Sequence, residues 1–258
     1  MSPKPTTDNS QPTTDLNLAI DIGNTRTKLG VFSGDELVRK EIWDSLELSR
    51  LKKFLYNQNI EKVILSSVAN AEEAVSDFLK KHFFFIQLTE KTSLPVKNLY
   101  ETHETLGKDR LAAVAGAFEL FPYENCLVID AGTCITLDLL NEKGEYLGGN
   151  ITPGIEMRFK AMNHFTARLP LIERKDKNDW LGKSTETAMR NGGQLGAILE
   201  VEGFIEMCRR EYKGLNVLLT GGDADFFAKT LKTKIFANQN LVLVGLNKIL
   251  KHNVQLLE

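Results

Sequence analysis

Apolar positions in the first third of the chain follow strand spacing in some segments and helical spacing in others. Leu16, Leu18 and Ile20 alternate with other residues, which is typical of a strand. Apolar residues recur every three or four positions between 48 and 55, which is typical of a helix. The patterns predict, in chain order, a strand beginning at Leu16, strands over 27–32 and 37–43, a helix over 48–55, a strand at 63–65, a helix over 74–79 and a strand over 83–88.

A similar plan begins again in the second half. The elements predicted there are a helix through 111–118 that ends near Pro122, strands over 127–130, 133–140 and 146–148, further helices, a strand over 217–220, and helices over 223–231 and 241–251. The first strand of each half ends in an acidic residue followed by Gly and Thr, at Asp21 and at Asp130. This repetition predicts an α/β fold of two related half-domains, 16–121 and 122–258, after a disordered tail over 1–15.

Composition limits the kinds of partner. With 42% apolar residues in 258, the chain can bury a large core without disulfides. The net charge of −2 provides no long-range field toward nucleic acid, and no apolar run approaches the roughly 18 residues of a membrane-spanning helix. We therefore expect a cytoplasmic protein that binds neither nucleic acid nor a membrane. Its three cysteines lack paired spacing, so we interpret them as reduced thiols.

The segment from Asp21 to Lys28 joins two predicted strands. Backbone N–H groups around Gly23 can converge on an anion, and Asn24, Thr25 and Lys28 add donors and charge. Asp21 at the strand end is suited to a hydrated magnesium ion. The alternative is a hairpin whose Gly-Asn turn is purely geometric.

The segment that begins at Asp130 repeats this arrangement with Thr133 and Thr136. Two such turns can hold a polyphosphate, whereas a threonine-rich strand is the structural alternative. A third glycine pair, Gly221 and Gly222, lets an adenine or ribose approach the backbone, or forms a plain loop capped by Asp223.

The tetrapeptide Gly107-Lys108-Asp109-Arg110 opens a predicted helix. Asp109 is either a first-turn acid paired with Arg110 or a base that accepts a hydroxyl proton, with Arg110 binding a substrate carboxylate or developing charge. Thr185 either presents its hydroxyl to a substrate or caps the helix that follows.

Together these motifs, with Gly148 to Gly154 and 240–246, resemble the type III pantothenate kinase family of the acetate and sugar kinase, heat-shock chaperone ATPase and actin superfamily. The resemblance extends from Leu16 to about Leu250. It implies two ribonuclease-H-like (actin-like ATPase) half-domains with an ATP cleft between them. It also implies ATP-dependent phosphorylation of pantothenate, the first step of coenzyme A biosynthesis.

The resemblance also implies roles for individual residues. It implies Asp109 as the proton acceptor and Asp130 as the ligand of a monovalent cation, K⁺ or NH₄⁺. The residues implied to bind ATP, with Mg²⁺, are Asp21, Ile22, Gly23, Asn24, Thr25, Arg26, Thr27, Lys28 and Thr133. Those implied to bind pantothenate are Tyr100, Gly107, Lys108, Asp109, Arg110 and Thr185. Family members are homodimers, so a homodimer is expected.

Two other functions compete with this interpretation. One is another small-molecule kinase of the same fold, for example a sugar kinase, although such enzymes are typically longer than 258 residues. The other is a non-enzymatic transcriptional accessory protein, which the lack of a basic stripe disfavours.

Overall fold

The computed structural model describes residues 15–67, 73–175 and 180–258 of the chain. Of the predicted tail, residues 1–14 lie outside the described residues. The chain divides into two compact units, the first ending at Leu88 and the second beginning at Thr89. The helix that opens at Lys108 therefore belongs to the second unit, whereas the sequence division at residue 121 assigned it to the first half.

The first unit is a five-stranded sheet with two helices. Its elements are β1 (Leu16–Ile22), β2 (Thr27–Ser33), β3 (Glu36–Trp43), α1 (Leu48–Leu55), β4 (Ile60–Ser67), α2 (Glu73–His82) and β5 (Phe84–Gln87). The strand order is β3-β2-β1-β4-β5. Strands β1, β2 and β3 pair antiparallel, and β4 and β5 run parallel to β1. The apolar residues that predicted these elements form the core of the unit, confirming the helix and strand predictions for this part of the chain.

The second unit contains the remaining elements. They are β6 (Lys97–Asn98), a 3₁₀ turn (His103–Thr105), α3 (Lys108–Leu120), β7 (Cys126–Ala131), β8 (Cys134–Leu140), β9 (Glu145–Pro153), α4 (Ile155–Phe165), α5 (Thr185–Glu211), β10 (Asn216–Thr220), α6 (Ala224–Thr230), β11 (Phe236–Ala237) and α7 (Leu241–Gln255).

The two sheets repeat one topology. In the second unit the order is β11-β10-β7-β8-β9-β6, with β7, β8 and β9 antiparallel and β10 and β11 parallel to β7. Apart from the short β6, this is the order and direction of β5-β4-β1-β2-β3 in the first unit. Each Asp-Gly-Thr signature occupies the same place, the turn between the first two strands. The predicted α/β fold of two ribonuclease-H-like halves is confirmed.

Strand β9 is longer than the sequence indicates. The predicted strand covers 146–148, but pairing with β8 continues to Pro153, opposite Cys134. Gly148, with a φ of +118°, and the adjacent Gly149 would ordinarily end a strand. Here the neighbouring strand supplies the hydrogen bonds that keep the segment extended. The two-residue strands β6 and β11 are too short for any sequence pattern to reveal.

Helix α3 packs closely on α7, which fixes the position of its N-terminus. A Cβ on Gly245 would lie 1.7 Å from the carbonyl oxygen of Ala112, and one on Gly116 would lie 2.3 Å from that of Leu241. The two glycines therefore let the helix backbones touch. Within the described ranges, no helix has both the length and the apolarity needed to span a bilayer.

Candidate active site

The first glycine turn closes the β1–β2 hairpin. Asp21 pairs with Lys28 across the two strands, and the N–H of Gly23 donates to the carbonyl oxygen of Arg26 at 3.0 Å. Asn24, Thr25 and Arg26 are exposed at the tip, while Asp21 is buried. The turn therefore presents amide and hydroxyl donors to solvent above a buried carboxylate.

Gly23 has no positive φ and leaves limited room for a side chain. A Cβ there would lie 3.3 Å from the oxygen of Arg26, a close contact that a shift of a few tenths of an ångström would relieve. The left-handed conformation that its position in the sequence suggested is not used.

Lys40 on β3 adds a second cation on this part of the first sheet, and no local pattern in the sequence predicted it. It pairs with Gly30 on β2, two positions along the strand from Lys28. Burial and then the positive charge of Lys28 lower the pKa of Lys40. Two lysines that repel each other make this edge of the hairpin favourable for an anion.

The second glycine turn is the meeting point of three segments of the second unit. The N–H of Gly132 donates to the oxygen of Cys134 at 2.9 Å, closing the turn that contains Thr133. The N–H of Gly154, at the start of α4, donates to the oxygen of Thr133 at 3.1 Å. The N–H of Asp223 donates to the oxygen of Ala131 at 2.8 Å. The structure thus unites three glycine motifs that are far apart in the sequence.

Glycines are sterically required at this meeting point. A Cβ on Gly154 would lie 2.1 Å from the oxygen of Gly132. Gly221 has a φ of +97°, and its Cβ would lie 2.2 Å from the oxygen of Ala131 and 2.4 Å from Oδ1 of Asp130. Any larger residue at either position would separate the three segments.

Asp223 is the N-cap residue of α6, as the loop alternative expects, but its side chain makes no capping hydrogen bond. Its carboxylate instead accepts a hydrogen bond from Nη1 of Arg174 at 2.5 Å. Burial raises the pKa of Asp223, and the charge of Arg174 partly opposes that rise. The pair lines a cavity of about 380 Å³ beside the glycine pair, with Ile155, Glu156, Lys160, Leu171, Ile172 and Glu173 forming its other walls.

Asp109 lies in the first turn of α3. Its Oδ1 accepts a hydrogen bond from the backbone N–H of Arg110 at 2.9 Å. The same oxygen lies over the N-cap residue Gly107, since a Cβ on Gly107 would be 2.5 Å from it. Asp109 is half-buried, so one side of the carboxylate remains accessible. Nζ of Lys108 lies 3.7 Å from Oε2 of Glu90.

The side chain of Arg110 does not pair with Asp109, so the expected Asp109–Arg110 side-chain pair is wrong. Its Nε donates to both carboxylate oxygens of Asp138, at 2.9 and 3.1 Å, and its Nη2 donates to Oδ1 at 2.5 Å. Tyr146 donates its hydroxyl to the same Oδ1 at 2.6 Å. Burial alone would lower the pKa of Arg110, but the hydrogen bonds and charge of Asp138 raise it. The pKa of Tyr146 is raised mainly by burial and further by the negative charge of Asp138.

Tyr100 joins this group from the loop after β6. The ring of Tyr100 is parallel to that of Tyr146, with 6.1 Å between the two centroids. Cζ of Arg110 lies 5.4 Å from the centroid of the Tyr100 ring. The structure therefore brings Tyr100 together with Gly107 to Arg110, as the substrate-binding prediction requires. Asp138 and Tyr146 were missed, because nothing in the local sequence distinguishes them from other strand residues.

Thr185 is the first residue of α5 and is exposed. The cap is Ser184, whose side chain accepts the N–H of Thr187 at 3.2 Å in a capping box. The capping role considered for Thr185 is wrong, and its hydroxyl faces solvent.

Comparisons with known proteins support a single family. A family profile described as type III pantothenate kinase matches residues 17–207. A protein of that name from Bacteroides fragilis is 44% identical over 92% of this chain and 98% of its own length. Proteins of the same name from Christiangramia forsetii and Flavobacterium johnsoniae are 43% and 39% identical over 92% of this chain and 99% and 98% of their own lengths.

Solved structures share the fold. A protein from Campylobacter jejuni, named as a Baf family transcriptional activator, has a TM-score of 0.60 at 24% identity and covers 92% of this chain and 99% of its own. A protein from Sinorhizobium meliloti, named as a 2-dehydro-3-deoxygalactonokinase, has a TM-score of 0.57 at 12% identity with the same coverage. Since the named relatives match almost from end to end and the fold and glycine turns agree with that match, the chain belongs to the type III pantothenate kinase family.

Proposed function

We propose that this protein transfers the γ-phosphoryl group of ATP to the primary hydroxyl of pantothenate, forming 4'-phosphopantothenate in the first step of coenzyme A biosynthesis. The main support is the start of α3, where a half-buried Asp109 precedes Arg110, whose guanidinium contacts the ring of Tyr100. A carboxylate held in this way can accept a proton, while the neighbouring aromatic and basic groups suit a small carboxylic acid that carries hydroxyl groups.

In the proposed reaction, Asp109 takes the hydroxyl proton as that oxygen attacks the γ-phosphorus. The new oxygen–phosphorus bond forms as the bond from the γ-phosphorus to the bridging oxygen breaks, and ADP leaves. Alignment and charge neutralisation supply most of the acceleration in phosphoryl transfer. The carboxylate of Asp109 must therefore be fixed before the substrate arrives, which its hydrogen bond from the Arg110 amide achieves.

We propose that the ATP phosphates contact the hairpin turn from Asp21 to Lys28 and the hydroxyl of Thr133. The exposed donors of the first turn and the cations Lys28 and Lys40 suit a polyphosphate. The cavity beside Asp223 is lined by Ile155, Leu171 and Ile172 together with charged side chains, so it offers both apolar contacts and polar partners to a nucleoside.

Two cations fit the residues present. Mg²⁺ would be held by the phosphate oxygens and Asp21, and it would neutralise phosphate charge. A monovalent cation, K⁺ or NH₄⁺, would be held by Asp130, which lies among backbone oxygens at the glycine turn. Within the described ranges no group of three or more His, Cys, Asp or Glu side chains converges, which agrees with cations held largely by substrate and backbone oxygens.

Pantothenate would contact Tyr100, the segment from Gly107 to Arg110 and Thr185. Thr185 is exposed at the start of α5, a position suited to a site that a second copy of the chain completes. We therefore propose a homodimer, and a cytoplasmic location where ATP and pantothenate are both available.

The test is ADP release with ATP and pantothenate as substrates, with hexoses and acetate as competing acceptors. Asp109→Asn should lower turnover by about 10²- to 10⁴-fold while ATP still binds, because the variant lacks the base but keeps the shape of the side chain. Asp77→Asn on the exposed face of α2 is the matched control and should keep wild-type turnover. Near wild-type turnover in Asp109→Asn would exclude Asp109 as the base, and no ADP release with pantothenate would overturn the proposed function.

A further inference from the structure

Asp138 places a carboxylate in the interior of the second unit. Its side chain is 1% exposed, and that of its partner Arg110 is 4% exposed. An unpaired charge at this depth is strongly unfavourable, so the carboxylate depends on its partners. Arg110 from α3 and the hydroxyl of Tyr146 from β9 satisfy it, connecting the helix to two adjacent strands.

Space for this group is provided by β9. Gly149 pairs with Asp138, and a Cβ on Gly149 would lie 2.7 Å from Oδ1 of Asp138 and 1.9 Å from the oxygen of Leu137. The neighbouring Gly148 has a positive φ, and a Cβ on it would lie 3.6 Å from the ring of Tyr100. The glycine pair therefore accommodates both the buried charge and the aromatic ring.

The interior group is connected to the surface through neighbours in the proposed substrate site. Tyr146 is fully buried, whereas Tyr100, parallel to it, is half-buried. Arg110 contacts the Tyr100 ring with its guanidinium, and its backbone N–H holds the carboxylate of Asp109. A change at Asp138 or Tyr146 is thus transmitted to two residues that a substrate can touch.

We propose that Asp138 and Tyr146 are positioning residues for pantothenate, which act through Arg110 to hold the Asp109 carboxylate and the Tyr100 ring in the orientation the substrate binds. This rests on the proposed function. Neither residue would contact the substrate, because the side chain of Asp138 is 1% exposed and Tyr146 is fully buried. Their contribution is to fix one edge of the guanidinium, so that Arg110 and the adjoining ring lose little conformational freedom when pantothenate binds.

Tyr146→Phe tests this with the smallest change, since it removes one hydroxyl and keeps the ring that stacks on Tyr100. The KM for pantothenate should rise on the order of tenfold, the equivalent of one hydrogen bond to a charged group. The KM for ATP should stay within about twofold, because the variant touches only the acceptor side. Calorimetric titration with pantothenate should show the same weakening.

Ile205→Val is the matched control for stability. It removes one methyl group from the core of the same unit at a residue that makes none of the proposed substrate contacts, and should lower the melting temperature without changing either KM. A purely structural role for Tyr146 would give the same pattern as this control. Asp138→Asn is the stronger variant: it should raise the pantothenate KM further than Tyr146→Phe and also lower kcat, because Arg110 loses its charged partner.

The outcomes separate the two proposals. If the wild type phosphorylates pantothenate but folded Tyr146→Phe keeps the wild-type pantothenate KM, the positioning role is wrong and the function stands. If the pantothenate and ATP KM values rise together, the group does not act on the acceptor site specifically, which also overturns the inference. If the wild type does not phosphorylate pantothenate at all, the proposed function itself fails.

Discussion

Gly149 faces Asp138 across the β8–β9 pair so closely that a Cβ would lie 1.9 Å from the oxygen of Leu137 and 2.7 Å from Oδ1 of Asp138. The nearer atom belongs to the backbone of the central strand β8, which cannot move without disturbing its pairing with β7. Glycine at this position is therefore a condition for burying the Arg110–Asp138 pair.

Gly149→Ala should lower the free energy of unfolding by about 1–3 kcal/mol, the usual cost of overpacking a filled interior. Urea denaturation measures the change. Gly203→Ala, on α5 with open space around it, is the control and should not destabilise the protein. Wild-type stability in Gly149→Ala would show that the β8–β9 pair can separate freely at this point.

Two adjacent glycines in α5 should respond in opposite directions to the same substitution. A Cβ on Gly193 would lie 2.4 Å from the buried ring of Phe159, while one on Gly192 would meet nothing within 4 Å. Gly193→Ala should therefore destabilise the protein, and Gly192→Ala should stabilise it by roughly 0.5–1 kcal/mol because alanine favours the helix. Melting temperatures of the two variants decide this, and equal shifts would contradict the packing described.

Turnover should depend on K⁺ or NH₄⁺ if Asp130 holds a monovalent cation as proposed. Replacing both ions by Na⁺ at constant ionic strength should lower the initial rate on the order of 10²-fold, because the smaller, more strongly hydrated Na⁺ would occupy the site poorly and the charge that stabilises the transferring phosphate would be lost. Asp130→Asn should be slow in every salt. Equal wild-type rates in all three salts would remove the cation assignment.

The Cys126 thiol should resist modification in the folded protein. The residue is fully buried, and burial raises its pKa from an ordinary 9.0 to about 12. Thiol-specific reagents at pH 8 should label Cys126 only after denaturation, whereas the less buried Cys134 is the comparison within the same molecule. Rapid labelling of native Cys126 would mean that β7 opens readily.

The same pKa shift predicts a loss of stability in alkali. The contribution of the protonated thiol is fully present below pH 9 and is lost as the pH rises toward 12, because the unfolded thiol ionises first. Relative to Cys126→Ala, the wild type should lose about 1.4 kcal/mol between pH 9.5 and 10.5 in urea titrations. A difference between the two proteins that does not change with pH would show that the thiol is accessible to water.

Much of the chemistry was visible in the local sequence. The glycine motifs around Asp21, Asp130 and Gly221 were predictable because glycine next to Asn, Asp or Thr at a strand end marks a turn locally, and only at Gly221 does a positive φ also require it. The segment from Gly107 to Arg110 was placed correctly at a helix start, since helix boundaries depend on neighbouring residues. The role of each segment in binding or catalysis stays a prediction.

The side-chain partners were not predictable in this way. Sequence proximity suggested that Arg110 pairs with Asp109 and that Asp223 caps its helix, whereas Arg110 reaches Asp138 on β8 and Asp223 reaches Arg174. Ser184 rather than Thr185 closes the cap of α5. In each case several polar groups competed, and the distances that decide between them exist only after the sheets and helices have packed.

The sequence by itself determined the order of the longer strands and helices, the repeated plan and the glycine turns, because periodicity, chain entropy and local sterics act over a few residues. Only the tertiary structure decided that three glycine segments meet in the second unit and that Asp138 and Tyr146 support Arg110 and Tyr100. The physical reason is that a buried charge takes its partner from whatever the fold brings within hydrogen-bonding distance, and that distance has no counterpart in local sequence.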